Sequence, residues 1–165
     1  MNRPAPLPAG PGQESVWDYP RPPRVAADDR EVVVVLGGVE VCRSRRAVRV
    51  LETSHPPTWY LPGPDWLPGA LVAASGSSWC EWKGAASYLG VVGGDRTADA
   101  AAWTYRDPAP AFAVLRDAVA VYPAAMDSCT VDGELVRPQE GGFYGGWVTA
   151  DVVGPFKGAP GSSGW

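Results

Sequence analysis

Residues 31 to 42 read EVVVVLGGVEVC, and this stretch decides the fold class. A run of four valines and a leucine enters Gly37–Gly38 and is answered by a second β-branched run, VEVC. β-branched side chains favour strands, and two glycines readily take the positive φ angles of a tight hairpin turn. RRAVRVLE, residues 45–52, follows as a third strand with Val48 and Val50 on one face and Ala47, Arg49 and Leu51 on the other. The three together predict a β-meander.

The same signals recur downstream. SSWCEWK (77–83), ASYLGVV (86–92) and DAAAWTY (99–105) read as strands separated by Gly84 and by the turn GGDR (93–96), and CTVDGELV (129–136) reads as a hairpin around Asp132–Gly133. One short α-helix is expected near residues 108–119, with Asp107 as cap, Pro108 in the first turn and Phe112, Leu115 and Val119 on one face. The expectation is a mainly-β, compact single domain of antiparallel strands and hairpins with extended arms at both ends. Its organisation reads as a flexible Pro/Gly-rich leader (1–13), a mainly-β domain (14–138) and a Gly/aromatic C-terminal strap (139–165).

The strap pairs glycines with large rings. Burying such rings is worth roughly 1.5–3 kcal/mol each, so Phe143, Trp147 and Phe156 are expected to dock in apolar grooves beside the arm Trp17–Pro23.

Composition bounds the function. With 45% hydrophobic residues and 8 tryptophans the chain can bury a core, while 20 glycines and 18 prolines leave little room for long helices. A formal charge of −4 argues against a nucleic-acid partner, because phosphates call for a surplus of Lys and Arg. No window approaches the ~20 apolar residues of a membrane helix, so no membrane association is expected. Cys42, Cys80 and Cys129 show neither CxxC spacing nor an even count, which fits reduced thiols in a cytoplasmic protein. A zinc site from these cysteines and His55 lacks short ligand spacing, so no metal is expected, and no cofactor fingerprint is present.

SHPPTWYLP (54–62), CEWKGAASYLGVV (80–92), AAWTYRDPAPAFAVLRDAVAVYP (101–123) and VDGELV (131–136) resemble, in order and spacing, the bacterial domain-of-unknown-function family DUF427. The resemblance covers roughly residues 15 to 137. It implies a compact mostly-β domain and places His55 inside a family motif. Some labels of the family are nucleotidyltransferase-like, but a label or a fold does not supply a reaction.

The candidate catalytic residues are His55, Glu52 and Cys80. His55 is the only histidine, and the prolines at 56 and 57 stiffen its backbone so that the imidazole points in a fixed direction. Glu52 could orient the ring, yet on an ideal strand positions 52 and 55 face opposite sides, so the pairing requires a turn at Thr53–Ser54. The alternative is a histidine that merely hydrogen-bonds near a turn. Cys80 offers a thiol and Lys83 a cation, but on an ideal strand these also face apart, and a small buried cysteine beside a surface Glu/Lys pair is the alternative.

Ligand-binding candidates are Tyr60, Lys83, Arg49, Trp82 and Tyr105. Arg43, Arg45 and Arg49 share one face of an extended segment and could bind phosphate or carboxylate, or form a solvated face balanced by acids. Trp59, Tyr60, Trp82, Tyr88, Trp103 and Tyr105 could line a pocket for a flat ligand or belong to the core. Two functions follow: a domain or enzyme that binds an anionic or aromatic metabolite around His55, or a non-catalytic interaction module using exposed aromatics and the strap. The oligomeric state is not legible.

Overall fold

The computed structural model describes residues 3–165. The chain is mainly β. Its strands in order are β1 (Glu14–Ser15), β2 (Arg24–Asp28), β3 (Val32–Leu36), β4 (Val39–Ser44), β5 (Ala47–Leu51), β6 (Thr58–Tyr60), β7 (Leu71–Cys80) and β8 (Gly84–Gly93). They continue as β9 (Arg96–Thr104), β10 (Val119–Val121), β11 (Ser128–Val131), β12 (Glu134–Leu135), β13 (Arg137–Pro138), β14 (Trp147–Val148) and β15 (Val152–Val153).

β3 and β4 form the expected hairpin, with Gly37 at φ 59° and Gly38 at φ 74°, angles a β-carbon would oppose. β3 also pairs with β11, giving a sheet in the order β12-β11-β3-β4. A second sheet runs β10-β9-β8-β7, and a third, β2-β5-β6. Valines 32 and 34, Leu36 and Val41 face the second sheet across a core that also contains Trp59, Leu61, Val91 and Trp147.

The β-meander does not form. β5 pairs with β2 and β6 instead of β4. Asp65 turns the chain aside: it accepts a hydrogen bond from Ser44 Oγ at 2.6 Å and pairs with Arg46 at 2.5 Å. The vacated edge of β4 is covered by the segment after Asp65, where Leu67 N–H donates to the Val41 carbonyl at 2.9 Å.

The expected α-helix is also absent. Residues Pro110–Leu115 form a 3₁₀ segment interrupted at Phe112 (φ −118°, ψ 21°), capped by Ala109 with no side-chain hydrogen bond. Prolines at 108 and 110 remove backbone donors, and Asp117 at φ 58° reverses the chain directly afterwards. Phe112 and Leu115 are buried as the apolar spacing suggested, but Val119 opens strand β10. Among the described residues no helix is long and apolar enough to cross a membrane.

The two ends of the chain pack on each other. β1 pairs in parallel with β15, Trp17 Nε1–H donates to the Pro155 carbonyl at 2.9 Å, and Phe156 and Trp165 pack against Val16, Trp17 and Tyr19. Met1 and Asn2 of the leader lie outside the described residues. Further along it, Leu7 N–H donates to the Gly154 carbonyl at 2.9 Å and Arg3 stacks over the Trp17 ring at 4.8 Å. Trp147 of the strap is fully buried, stacked on Trp59 with ring centroids 5.8 Å apart. Phe143 departs from expectation: it is 74% exposed, because its neighbour Tyr144 takes the inward position.

Trp147 is therefore a keystone of the core, whereas Phe143 contributes little to stability. Urea unfolding should show Trp147→Ala losing about 3–5 kcal/mol and Phe143→Ala staying within about 0.5 kcal/mol of the parent.

Candidate functional site

A turn at residues 52–55 brings Glu52 and His55 together. His55 N–H donates to the Glu52 carbonyl at 3.0 Å, and Ser54 sits in the left-handed region at φ 73°. Ser54 is held on both sides: its N–H donates to the Val16 carbonyl at 3.0 Å, and its own carbonyl accepts from Lys157 N–H at 2.8 Å. The turn that an ideal strand lacked is thus built from both arms of the chain.

A second turn does the same for Cys80 and Lys83. β7 ends at Cys80, and residues 81–83 reverse the chain so that Cys80 pairs with Gly84. Across this turn Lys83 Nζ lies 3.2 Å from Cys80 Sγ. The expectation that SSWCEWK is one strand fails here, and its failure joins the two side chains.

All four residues line one cavity of ≈ 540 Å³. Tyr60, Tyr88, Trp103, Tyr105 and Tyr122 provide aromatic wall, and the rings of Trp79 and Trp82 come from the β7–β8 turn region. Trp79 and Phe143, 75% and 74% exposed, both belong to this lining. The strap adds Tyr144 and Lys157, and Gln139 adds an amide. At Gly145, which also lines the cavity, a β-carbon would run into the Trp103 ring, so only glycine lets the strap approach.

Gln139 fixes the state of the histidine. Its Oε1 accepts from Gly146 N–H at 3.1 Å and its Nε2 donates to the Lys157 carbonyl at 2.7 Å, which sets the amide orientation. The remaining Nε2 hydrogen points to His55 Nδ1 at 3.2 Å. Nδ1 is then an acceptor, and the ring proton of the neutral imidazole resides on Nε2. Tyr144 meets the ring edge-on at 4.9 Å.

Burial lowers the pKa of His55 to about 4, and the charges of Lys157, Arg21 and Lys83 push in the same direction. Glu52 offsets this poorly. Its Oε2 is 3.8 Å from Nε2 but also 3.4 Å from Arg21 Nε, which already takes up its charge.

Lys83 and Lys157 are the only lysines in the chain, against twelve arginines. Lys83 is 8% exposed and lies 5.8 Å from the centre of the Tyr105 ring, and Lys157 lies 5.6 Å from that of Tyr144. Among the described residues neither ammonium has an Asp or Glu carboxylate within ion-pair distance, and Lys157 Nζ lies 3.4 Å from a main-chain oxygen of Trp165. Glu81, the other carboxylate of the lining, sits on the exposed turn.

Arg49 is not part of this lining. It pairs with Glu14 at 2.8 Å and Asp28 at 3.2 Å, 5.9 Å from the Trp59 ring centre. Arg43 and Arg45 pair with Glu31, so the shared arginine face is divided between two sheets and balanced by acids. Trp59 belongs to the core. Cys42 and Cys129 are buried there as well, and burial pushes both thiols up to about 12. Among the described residues no group of three or more His, Cys, Asp or Glu side chains converges.

Residues 24–132 match the family model for a domain of unknown function, DUF427. The chain belongs to the DUF427 family. No curated protein matches it. The matched span includes the His55 turn and the Cys80–Lys83 turn, whereas Gln139, Tyr144 and Lys157 come from outside it. In this DUF427 chain the cavity is therefore closed by residues beyond the family span. Sequence reasoning missed those three, although the scarcity of lysine was a readable signal for Lys157.

Because His55 stays neutral in the folded chain, the unfolded chain alone binds a proton there between pH 6.5 and about 4. Stability should fall as pH drops through that window, by up to roughly 1.4 kcal/mol per pH unit from this group. Urea unfolding of the parent and of His55→Gln should diverge in slope over this range. The single imidazole resonance should show no titration above pH 5, and a midpoint near 6.5 would refute the assignment.

Proposed function

We propose that this DUF427 chain is a small-molecule-binding domain or enzyme whose ligand is an aromatic anion held in the cavity around His55. One observation carries the reading: the only histidine and both lysines of the chain line the same cavity. Its volume of ≈ 540 Å³ falls within the range of small-molecule sites, its wall is aromatic, and among the described residues its two ammonium groups have no Asp or Glu partner. Rings suit a flat ligand, and the lysines suit a carboxylate or phosphate on it. The neutral His55 presents Nε2–H as a donor. The three free thiols suit a reducing cytoplasm.

A second reading is an interaction module. It is favoured by β7, a ten-residue edge strand without charged residues that carries the exposed Trp79. The ligand reading has more support, because Trp79 and Phe143 border the cavity rather than a separate patch.

Titration with 4-methylbenzoate and phenyl phosphate, followed by tryptophan fluorescence, should show saturable quenching, and benzyl alcohol should not compete. At 100 times Kd a bound anion should stabilise the fold by about 2.7 kcal/mol. Lys157→Ala should weaken binding about ten-fold. Equal affinity for the neutral alcohol, or a chain that is dimeric and blind to every anion, would favour the interaction module instead.

A further inference from the structure

We infer that Lys83 captures the carbonyl group of an aromatic aldehyde or ketone as an imine, with Cys80 as its proton partner. This rests on the aromatic-anion reading of the cavity and assigns it a covalent chemistry.

The argument begins with the choice of cation. Twelve of the fourteen basic side chains are arginine, and the ion pairs of Arg30, Arg43, Arg46, Arg49 and Arg96 show arginine meeting the structural need for positive charge. A guanidinium stays protonated and is no nucleophile, while an amine can lose a proton and attack a carbonyl. The two amines this chain does use both line one cavity. They differ in setting: Lys157 Nζ is 3.4 Å from the Trp165 carbonyl, whereas Lys83 is buried and touches a thiol at 3.2 Å.

That contact supplies the proton transfer. Once the pair has given up one proton to solvent, a thiolate beside an ammonium and a thiol beside an amine contain the same protons and the same net charge, so moving one proton along the hydrogen bond to Cys80 frees the Lys83 lone pair. The amine nitrogen attacks the carbonyl carbon, and the C=O π pair moves to oxygen. One nitrogen proton passes to that oxygen, giving a neutral carbinolamine. The Cys80 thiol then protonates the hydroxyl, water leaves, and the nitrogen lone pair closes the C=N bond. Amine, thiol and carbonyl become iminium, thiolate and water. The iminium and thiolate remain adjacent as an ion pair. Lys157 would meet the anionic group of the ligand, and the Tyr105 face, 5.8 Å from Lys83 Nζ, suits the cationic iminium as it does the ammonium.

The scarcity of amines makes the test clean, since only Lys83, Lys157 and the α-amino group can react. The full chain is incubated with 4-formylbenzoate and sodium cyanoborohydride, whose hydride reduces the iminium carbon to a stable secondary amine. Intact mass should rise by one adduct. Peptide mapping should place it on Lys83 at least ten-fold over the other two amines, Lys83→Arg should abolish it, and Cys80→Ser should slow it ten-fold or more. 4-Methylbenzoate, which lacks the carbonyl to be captured, is titrated in parallel. If it binds saturably while 4-formylbenzoate labels no amine, or labels all three alike, imine capture is overturned and the aromatic-anion reading stands. If neither compound binds or labels, both fall.

Discussion

The main chain of Ser54 is where the two ends of the polypeptide meet. Its N–H is taken by Val16 of the leading arm and its carbonyl by Lys157 of the strap, and between them the residue is held in a left-handed conformation that few non-glycine residues adopt. A polar backbone buried at this depth must be paired, so neither arm can leave without exposing an unsatisfied group. Glu52 and His55 face each other only because this turn exists. The floor of the cavity is thus a product of tertiary hydrogen bonds and not of local propensity.

The amide of Gln139 acts on the imidazole itself in a similar way. One donor and one acceptor in the strap leave it a single free N–H, and that N–H sets which imidazole nitrogen holds the proton. With burial and three cations opposing protonation, the histidine becomes a fixed hydrogen-bond donor instead of a group poised to titrate near neutrality. The titration that motivates interest in a lone histidine is what its surroundings remove.

Legibility in the sequence followed the range of the interaction. The hairpin at Gly37–Gly38 was readable because its turn chemistry and flanking valines are contiguous. The partner of β5 was not, since strand propensity marks a strand without naming its edge, and Asp65, more than ten residues downstream, decides where the chain goes. The helix was misread because apolar spacing at Phe112 and Leu115 is compatible with 3₁₀ turns, and two prolines outweigh it. His55, Glu52, Cys80 and Lys83 were legible as chemistry but not as neighbours. On ideal strands they diverge, and turns at residues 52–55 and 80–84 bring them together. Gln139 carried no readable signal, because its role exists only through tertiary contacts with Gly146, Lys157 and His55.

The order in which the cavity is built along the chain has a bearing on synthesis. The sheets β10-β9-β8-β7 and β2-β5-β6 and the Cys80–Lys83 turn lie within residues up to 121, but Gln139, Tyr144 and Lys157, whose N–H holds the Ser54 carbonyl of the His55 turn, come later. A chain still emerging from the ribosome therefore presents Cys80, Lys83 and the imidazole on an open aromatic wall. The second cation and the group that sets the imidazole tautomer arrive last. Completion of the cavity is in this sense a late event of synthesis, reached only when residues 139–157 have threaded back against the body of the fold.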